Sequence, residues 1–138
     1  MTPQQFADRA MAMPGIRWVK WRSDWEAADC FGLLLLYFRE VHGIDLGAVP
    51  QLDIGAGFDA ARGWSECEPQ PGASAWMAFD ASGAPAHCGI LLDATTVLHS
   101  EGDEERGGSV RLTRLAALRR IYPDVRFMRH ESMAVATC

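Results

Sequence analysis

From Cys30 to Val41 the apolar residues Cys30, Leu33, Leu34, Tyr37, Phe38 and Val41 recur at three- and four-residue intervals, the period of one face of an α-helix. Leu35 and Leu36 widen that face, so the helix must be covered on most sides and belongs at the centre of the fold. Gly43 suits the C′ position, because glycine enters the left-handed conformation without steric penalty, and the helix is expected from about Cys30 to about His42. It opens on Asp29-Cys30-Phe31-Gly32. A cysteine in the first turn feels the partial positive charge of unpaired backbone N–H groups, which favours the thiolate. Two histidines far downstream, His87 and His99, are spaced to lie side by side on neighbouring strands. A helix-start cysteine with a histidine partner is the outline of an activated thiol nucleophile.

The rest of the chain narrows the possibilities. With 138 residues, 49% of them hydrophobic, it is expected to form one domain with a real core and no need of staples. A net charge of −5 and the lack of any Lys/Arg run argue against nucleic acid as a partner. Met1 to Arg9 has no basic segment followed by a long apolar one, so the reading is synthesis in the cytosol without a signal peptide. The longest apolar run, Leu33 to Phe38, is far below the ~18 residues of a membrane span. Cys30, Cys67, Cys88 and Cys138 are then expected as free thiols. A zinc site from Cys30, His87, Cys88 and His99 is disfavoured, since there is no CxxC and the adjacent His87 and Cys88 point to opposite faces of a strand. No cofactor is expected.

Thr2-Pro3-Gln4-Gln5 supplies an N-cap, a proline at the first helical position and a capping-box Gln, so a short helix should precede Pro14-Gly15. Trp18, Trp21 and Trp25 follow; they either line a groove or cover one end of the core. About Asp45 to Pro71 reads as a long irregular connection, with Gly55-Ala56-Gly57 as loop. Strands are expected at Ala75 to Phe79, His87 to Leu92, Thr95 to Ser100, around Ser109 to Leu112, and at Val125 to Met128. Glu101 to Gly108 reads as a solvated loop, Thr113 to Ile121 as a helix, and the tail after His130 as frayed. A three-residue loop centred on Asp93 would set His87 directly opposite His99, with Cβ atoms roughly 4.5–5.5 Å apart. His87 would then take the proton of Cys30 while His99 fixes the His87 ring and its tautomer.

These residues resemble the NlpC-type, papain-like cell-wall endopeptidases. That family's nucleophile lies in an Asp-Cys-x-Gly motif, matched by Asp29-Cys30-Phe31-Gly32. Its base opens a strand similar to His87-Cys88-Gly89-Ile90-Leu91-Leu92, and its third polar residue follows twelve positions later, at His99. Of its Pro-Gly-Asp turn, Pro71-Gly72-Ala73 keeps two residues, and its usual tyrosine twelve positions before the nucleophile is Trp18 here, better read as a groove wall. The resemblance covers about Gly15 to Arg129. It implies an α+β fold in which the Cys-bearing helix packs on a small antiparallel sheet. It also implies catalytic Cys30, His87 and His99, substrate contacts from Trp18 and Asp29, and a peptidoglycan stem peptide as substrate, with no metal.

Within the family the chain looks most like the compact peptidases of phage tails, from Ser109-Val110-Arg111-Leu112-Thr113-Arg114-Leu115 and the closing Phe127-Met128-Arg129-His130. Other tail proteins are the partners, and a phage-like tail the place of assembly, that this likeness implies. Two other readings stand beside it: a structural tail-tip protein of the same fold without turnover, favoured by Trp18 and Ala73, and a related cysteine-histidine amidase.

Overall fold

The computed structural model describes residues 1–49 and 63–133. The Gly55-Ala56-Gly57 loop, much of the expected connection before Pro71, and the last part of the tail lie outside the described residues. Among these residues three helices, α1 (Pro3–Met11), α2 (Cys30–His42) and α3 (Leu115–Ile121), accompany six strands. The strands are β1 (Trp64–Cys67), β2 (Ala75–Phe79), β3 (Pro85–Leu91), β4 (Thr96–Asp103), β5 (Gly107–Arg114) and β6 (Asp124–His130). They form one sheet in the order β1-β6-β2-β3-β4-β5, with every neighbouring pair antiparallel. None of the described helices is long and apolar enough to cross a membrane.

Alternation along the strands gives the sheet two apolar faces. Ala75, Met77, Cys88, Ile90, Leu98 and Val110 turn to α1 and α2, where they pack with Phe6, Leu33, Leu34, Tyr37 and Phe38. Trp76, Ala78, Leu91, Val97 and Phe127 turn the other way and pack with Leu118 of α3. Every residue of α2 from Phe31 to Phe38 is buried, as the widened apolar face requires. At its far end Gly43 adopts φ 67°, and the Tyr37 hydroxyl donates to the Gly72 carbonyl (2.6 Å), which also lies 2.9 Å from the His42 ring. The Pro71-Gly72 turn thus anchors α2. Thr2 and Gln5 form the expected capping box of α1, whose Phe6 meets Tyr37 edge-on at 5.0 Å.

The larger differences from expectation are four. Trp64–Cys67 is a strand inside the stretch read as irregular; it is a four-residue edge element, with too little burial to impose an apolar alternation. Residues read as a loop from Glu101 to Gly108 extend the ladder instead, β4 through Asp103 and β5 from Gly107. Both of those ends are solvated, so their side chains carry no pattern; only the turn between them, held by Asp103 accepting the Glu105 and Arg106 N–H groups, is loop. Thr113 and Arg114 belong to β5, and α3 starts at Leu115. The β3–β4 loop is centred on Ala94 rather than Asp93, because Ile90 pairs with Leu98 and Leu91 with Val97. His99 is therefore diagonal to His87 on the same face, not directly opposite.

Trp25 covers one end of the core, packing on Phe6 at 5.1 Å under the Arg9 guanidinium, while Trp21 is exposed. The loop that carries Arg22 and Ser23 closes tightly onto α2: the Ser23 hydroxyl donates to the Gly32 carbonyl (2.7 Å), and a Cβ at Gly32 would overlap the Arg22 backbone carbonyl. This close approach is the physical reason for glycine in Asp-Cys-x-Gly. Gly32→Ala is expected to lower the stability to unfolding by at least the ~1–3 kcal/mol typical of an overpacked site, measured by chemical denaturation. Gly47→Ala, where no atom lies within 4 Å of the added carbon but φ is positive, should cost less.

Candidate active site

Asp29 builds the site from below. Its Oδ1 accepts the Gly32 N–H (2.7 Å), making it the N-cap of α2, and its Oδ2 accepts the Trp21 N–H (2.6 Å). One buried carboxylate therefore ties the first turn of α2 to the preceding loop, and burial pushes its pKa above the ordinary carboxylate value despite those two donors. The residue before it is fixed as well, since Ser100 of β4 donates its hydroxyl to the Ala28 carbonyl (2.7 Å). Cys30 follows as the first residue of α2, half-buried.

The sheet is shaped to receive it. The β3–β4 ladder consists of Ile90 with Leu98 and Leu91 with Val97, so the first half of β3 and the second half of β4 lie outside it. Just before His87 the β2–β3 register slips by one residue, Ala78 pairing with His87 and Phe79 with Pro85. A bulge of this kind re-aims the neighbouring side chain. Gly89 lets the strands close again: a Cβ there would come within 2.6 Å of the Leu98 carbonyl and 2.9 Å of the His99 Cβ.

The His87 Nε2 lies 2.8 Å from the His99 Nδ1, and the His99 Nε2 lies 2.8 Å from the Thr113 hydroxyl. With His87 Nε2 engaged in this way, Nδ1 is its remaining ring nitrogen, and the same ring interacts with the Cys30 thiol. The Cys30 pKa is held well below the ordinary thiol range by a hydrogen bond from the Cys88 thiol first, and then, against burial, by the His87 ring. His99 is only 1% exposed; burial, then the charges of His87 and Arg111, push it down to about 3. It is therefore neutral at ordinary pH and has one donor and one acceptor nitrogen. With Thr113 accepting from His99 Nε2–H, Nδ1 becomes the acceptor for His87 Nε2–H, which leaves His87 Nδ1 able to take a proton.

Aromatic rings enclose the pair. Trp76 stands edge-on to His87 at 5.7 Å, and Tyr122, just past α3, lies nearly parallel to it at 6.3 Å with an interplanar angle of 24°. The Tyr122 phenol is raised by burial, and further by the charges of Glu101 and Cys30. The Trp76 indole N–H is buried without a hydrogen-bond partner, and its ring lies against those of His87, His99 and Tyr122.

The structure thus brings together Cys30, His87 and His99 and puts Asp29 beneath them. Trp18 is half-buried, its N–H bonded to the Gly108 carbonyl (3.0 Å), which places the segment next to the start of β5. Sequence reasoning missed Thr113, read as the start of a helix; its signal was position, two residues beyond Arg111, the cross-strand partner of His99. It also missed Tyr122 and the contact between Cys88 and Cys30, which depend on tertiary packing. Among the described residues, no three His, Cys, Asp or Glu side chains converge as a metal site.

No protein-family model matches the sequence, and no curated protein does. Among solved structures the chain is similar to the crystal structure of the NlpC/p60 domain of peptidoglycan hydrolase SagA. The TM-score is 0.57 at 18% identity, over 96% of this chain and 100% of that one. The chain therefore has the α+β, papain-like fold of an NlpC/p60 domain.

The buried neutral His99 has a consequence for stability. The unfolded chain takes this proton near 6.5, the folded chain only near 3, so within that window the unfolded state binds more protons and stability declines as pH falls. Between about pH 6.5 and pH 5, ahead of most carboxylate titration, the denaturation free energy should fall more steeply for the native chain than for His99→Asn. Equal slopes would contradict this.

Proposed function

We propose that this chain is a cysteine peptidase that hydrolyses an amide bond in the peptide stem of peptidoglycan. The observation that carries the proposal is the hydrogen-bonded line from Thr113 through His99 to His87, the ring that helps to hold the Cys30 thiol below its ordinary pKa. The likeness in fold to a peptidoglycan hydrolase domain supports the choice of substrate.

In this reading Cys30 Sγ attacks the amide carbonyl carbon from the head of α2. The proton held as imidazolium on His87 passes to the leaving amine, and the C–N bond breaks to leave a thioester. Water, deprotonated by His87, then attacks the thioester and frees the Cys30 thiolate. The developing oxyanion is stabilised by the Cys30 backbone N–H at the helix head. His99, neutral throughout, accepts from His87 and keeps it in register; Thr113 fixes the His99 tautomer. Asp29 acts as a positioning residue, since each of its oxygens already accepts a backbone N–H. Trp18 is assigned to the groove wall, and the place of action to a phage-like tail, on the sequence resemblance described above.

Digestion of purified peptidoglycan followed by mass analysis of the fragments tests the reaction. Native protein should release stem fragments with a new amine terminus and Cys30→Ala none; intact stems with native protein would leave the non-enzymatic tail-protein reading. With a stem peptide so identified, His87→Asn should lower kcat by ~10² to 10⁴, the usual worth of a general base, and His99→Asn by less. Thr113→Val should lower kcat least, and Thr113→Ser should restore it. The rate should fall on the acid side as the Cys30 thiolate is protonated, at pH values well below the ordinary thiol range. A His87 variant more active than the matching His99 variant would reverse the assignment of the base.

A further inference from the structure

From Ser109 to Pro123 the chain carries four arginines and no Asp or Glu, although its net charge is −5. Arg111 is paired with Glu101 at 3.8 Å. Arg114, Arg119 and Arg120 are exposed, and among the described residues none of the three has an ion-pair or hydrogen-bond partner for its guanidinium.

Two of these unpaired cations share a cavity. A space of about 310 Å³ lies where the β3–β4 turn meets the junction of β5 and α3, lined by Ala94, Thr95, Arg114, Leu115, Ala116 and Arg119. Backbone bonds tie its frame: Arg114 pairs with Thr96 across the β4–β5 ladder, and the Leu115 N–H donates to the Thr95 carbonyl (2.8 Å). Along α3, Leu115 and Ala116 precede Arg119 by four and three residues, so the three side chains share one helix face. Asp93, the acid of the turn, is outside the lining, and its Oδ1 accepts the Thr95 N–H (2.9 Å) and hydroxyl (3.3 Å). The cavity is separate from the histidine relay: His87 lies near the start of β3 and this turn follows its end. Thr95 precedes His99 by four residues, roughly 13 Å of extended chain.

We propose that this cavity binds the phosphate of a small phosphate ester, with the phosphoryl oxygens on Arg114 and Arg119 and the alcohol part against Leu115, Ala94 and Ala116. Two guanidiniums facing one space repel until an anion joins them. A tetrahedral phosphate presents enough oxygens, and up to two negative charges, to accept from both planar forks at once, whereas a carboxylate satisfies one. The volume is at the small end of ligand cavities, roughly 300–1,000 Å³, which suits a phosphate with a few carbons. The same chemistry is offered by a free phosphate monoester and by one unit of a phosphodiester polymer. No residue of the relay takes part, so binding holds whether or not the chain hydrolyses amides.

The test titrates the full chain, labelled with nitrogen-15, with glycerol 3-phosphate and separately with the diester glycerophosphoglycerol, at constant ionic strength, and follows the amide NMR signals. Saturable shifts are expected at Thr95, Leu115 and Ala116, with Cys30 and His87 unmoved, and sodium acetate at equal concentration should produce none at the cavity. Arg114→Gln and Arg119→Gln should each weaken binding about ten-fold or more, the usual worth of a hydrogen bond to a charged group. Arg126→Gln, at a guanidinium paired with Asp124, should bind as the native chain does. Tighter binding of the monoester identifies a free phosphate ester as the ligand; equal or tighter binding of the diester identifies a unit of a phosphodiester polymer. Absence of saturable shifts at the cavity with either compound, equal shifts with acetate, or native affinity in both glutamine variants overturns the proposal. The substituted side chains are exposed, and the spectrum of each variant reports its folding in the same experiment. Because no turnover is read, failure here is separable from failure of the peptidase assignment.

Discussion

The Asp29 carboxylate is the constraint on which the site depends. By capping α2 through Gly32 and holding the Trp21 N–H, it fixes both sides of the chain at the point where Cys30 must be presented. Ser100 on Ala28 ties the same turn to β4, and Gly32 lets the loop carrying Arg22 lie against the helix with no side chain between them. Position and field come from one arrangement: the helix end that is held in place is also the end whose partial positive charge favours a thiolate.

The sheet complements this by being incomplete. β3 and β4 pair directly at Ile90 with Leu98 and at Leu91 with Val97. Their short ladder, the bulge before His87 and the missing side chain at Gly89 open one end of the sheet while bringing His99 to within 2.8 Å of His87. Two adjacent imidazoles would repel if both were charged, and burial settles the matter by keeping His99 neutral, so that it serves as an acceptor and never competes for the proton of Cys30. Thr113, at the end of the line, turns a pair into an oriented relay.

Much of this was legible in the residues. The 3.6-residue period located α2 to the residue at its start, because the apolar stripe and the Gly43 stop are local signals. The parity of the spacing between His87 and His99 put them on one face even though the loop centre was off by one position, since a shift of the centre by one whole residue keeps the alternation. Elements whose ends are solvated escaped notice: β1 and the distal halves of β4 and β5 have no buried stripe to betray them. The contacts of Cys88, Tyr122 and Thr113 escaped for another reason. Each is made by packing elements far apart in the chain, and no local pattern encodes which strand splays, where a bulge falls, or which ring comes to rest on His87.

The central claim is that the fold makes a thiolate of Cys30. The rate of iodoacetamide alkylation at each described cysteine, followed by mass spectrometry across pH, reads thiolate fraction directly. The account predicts that Cys30 reacts fastest and keeps its rate to pH values well below the ordinary thiol range, while Cys88, raised by burial, stays unreactive. A Cys30 rate that climbs only near the ordinary thiol pKa of about 8.5 would contradict it.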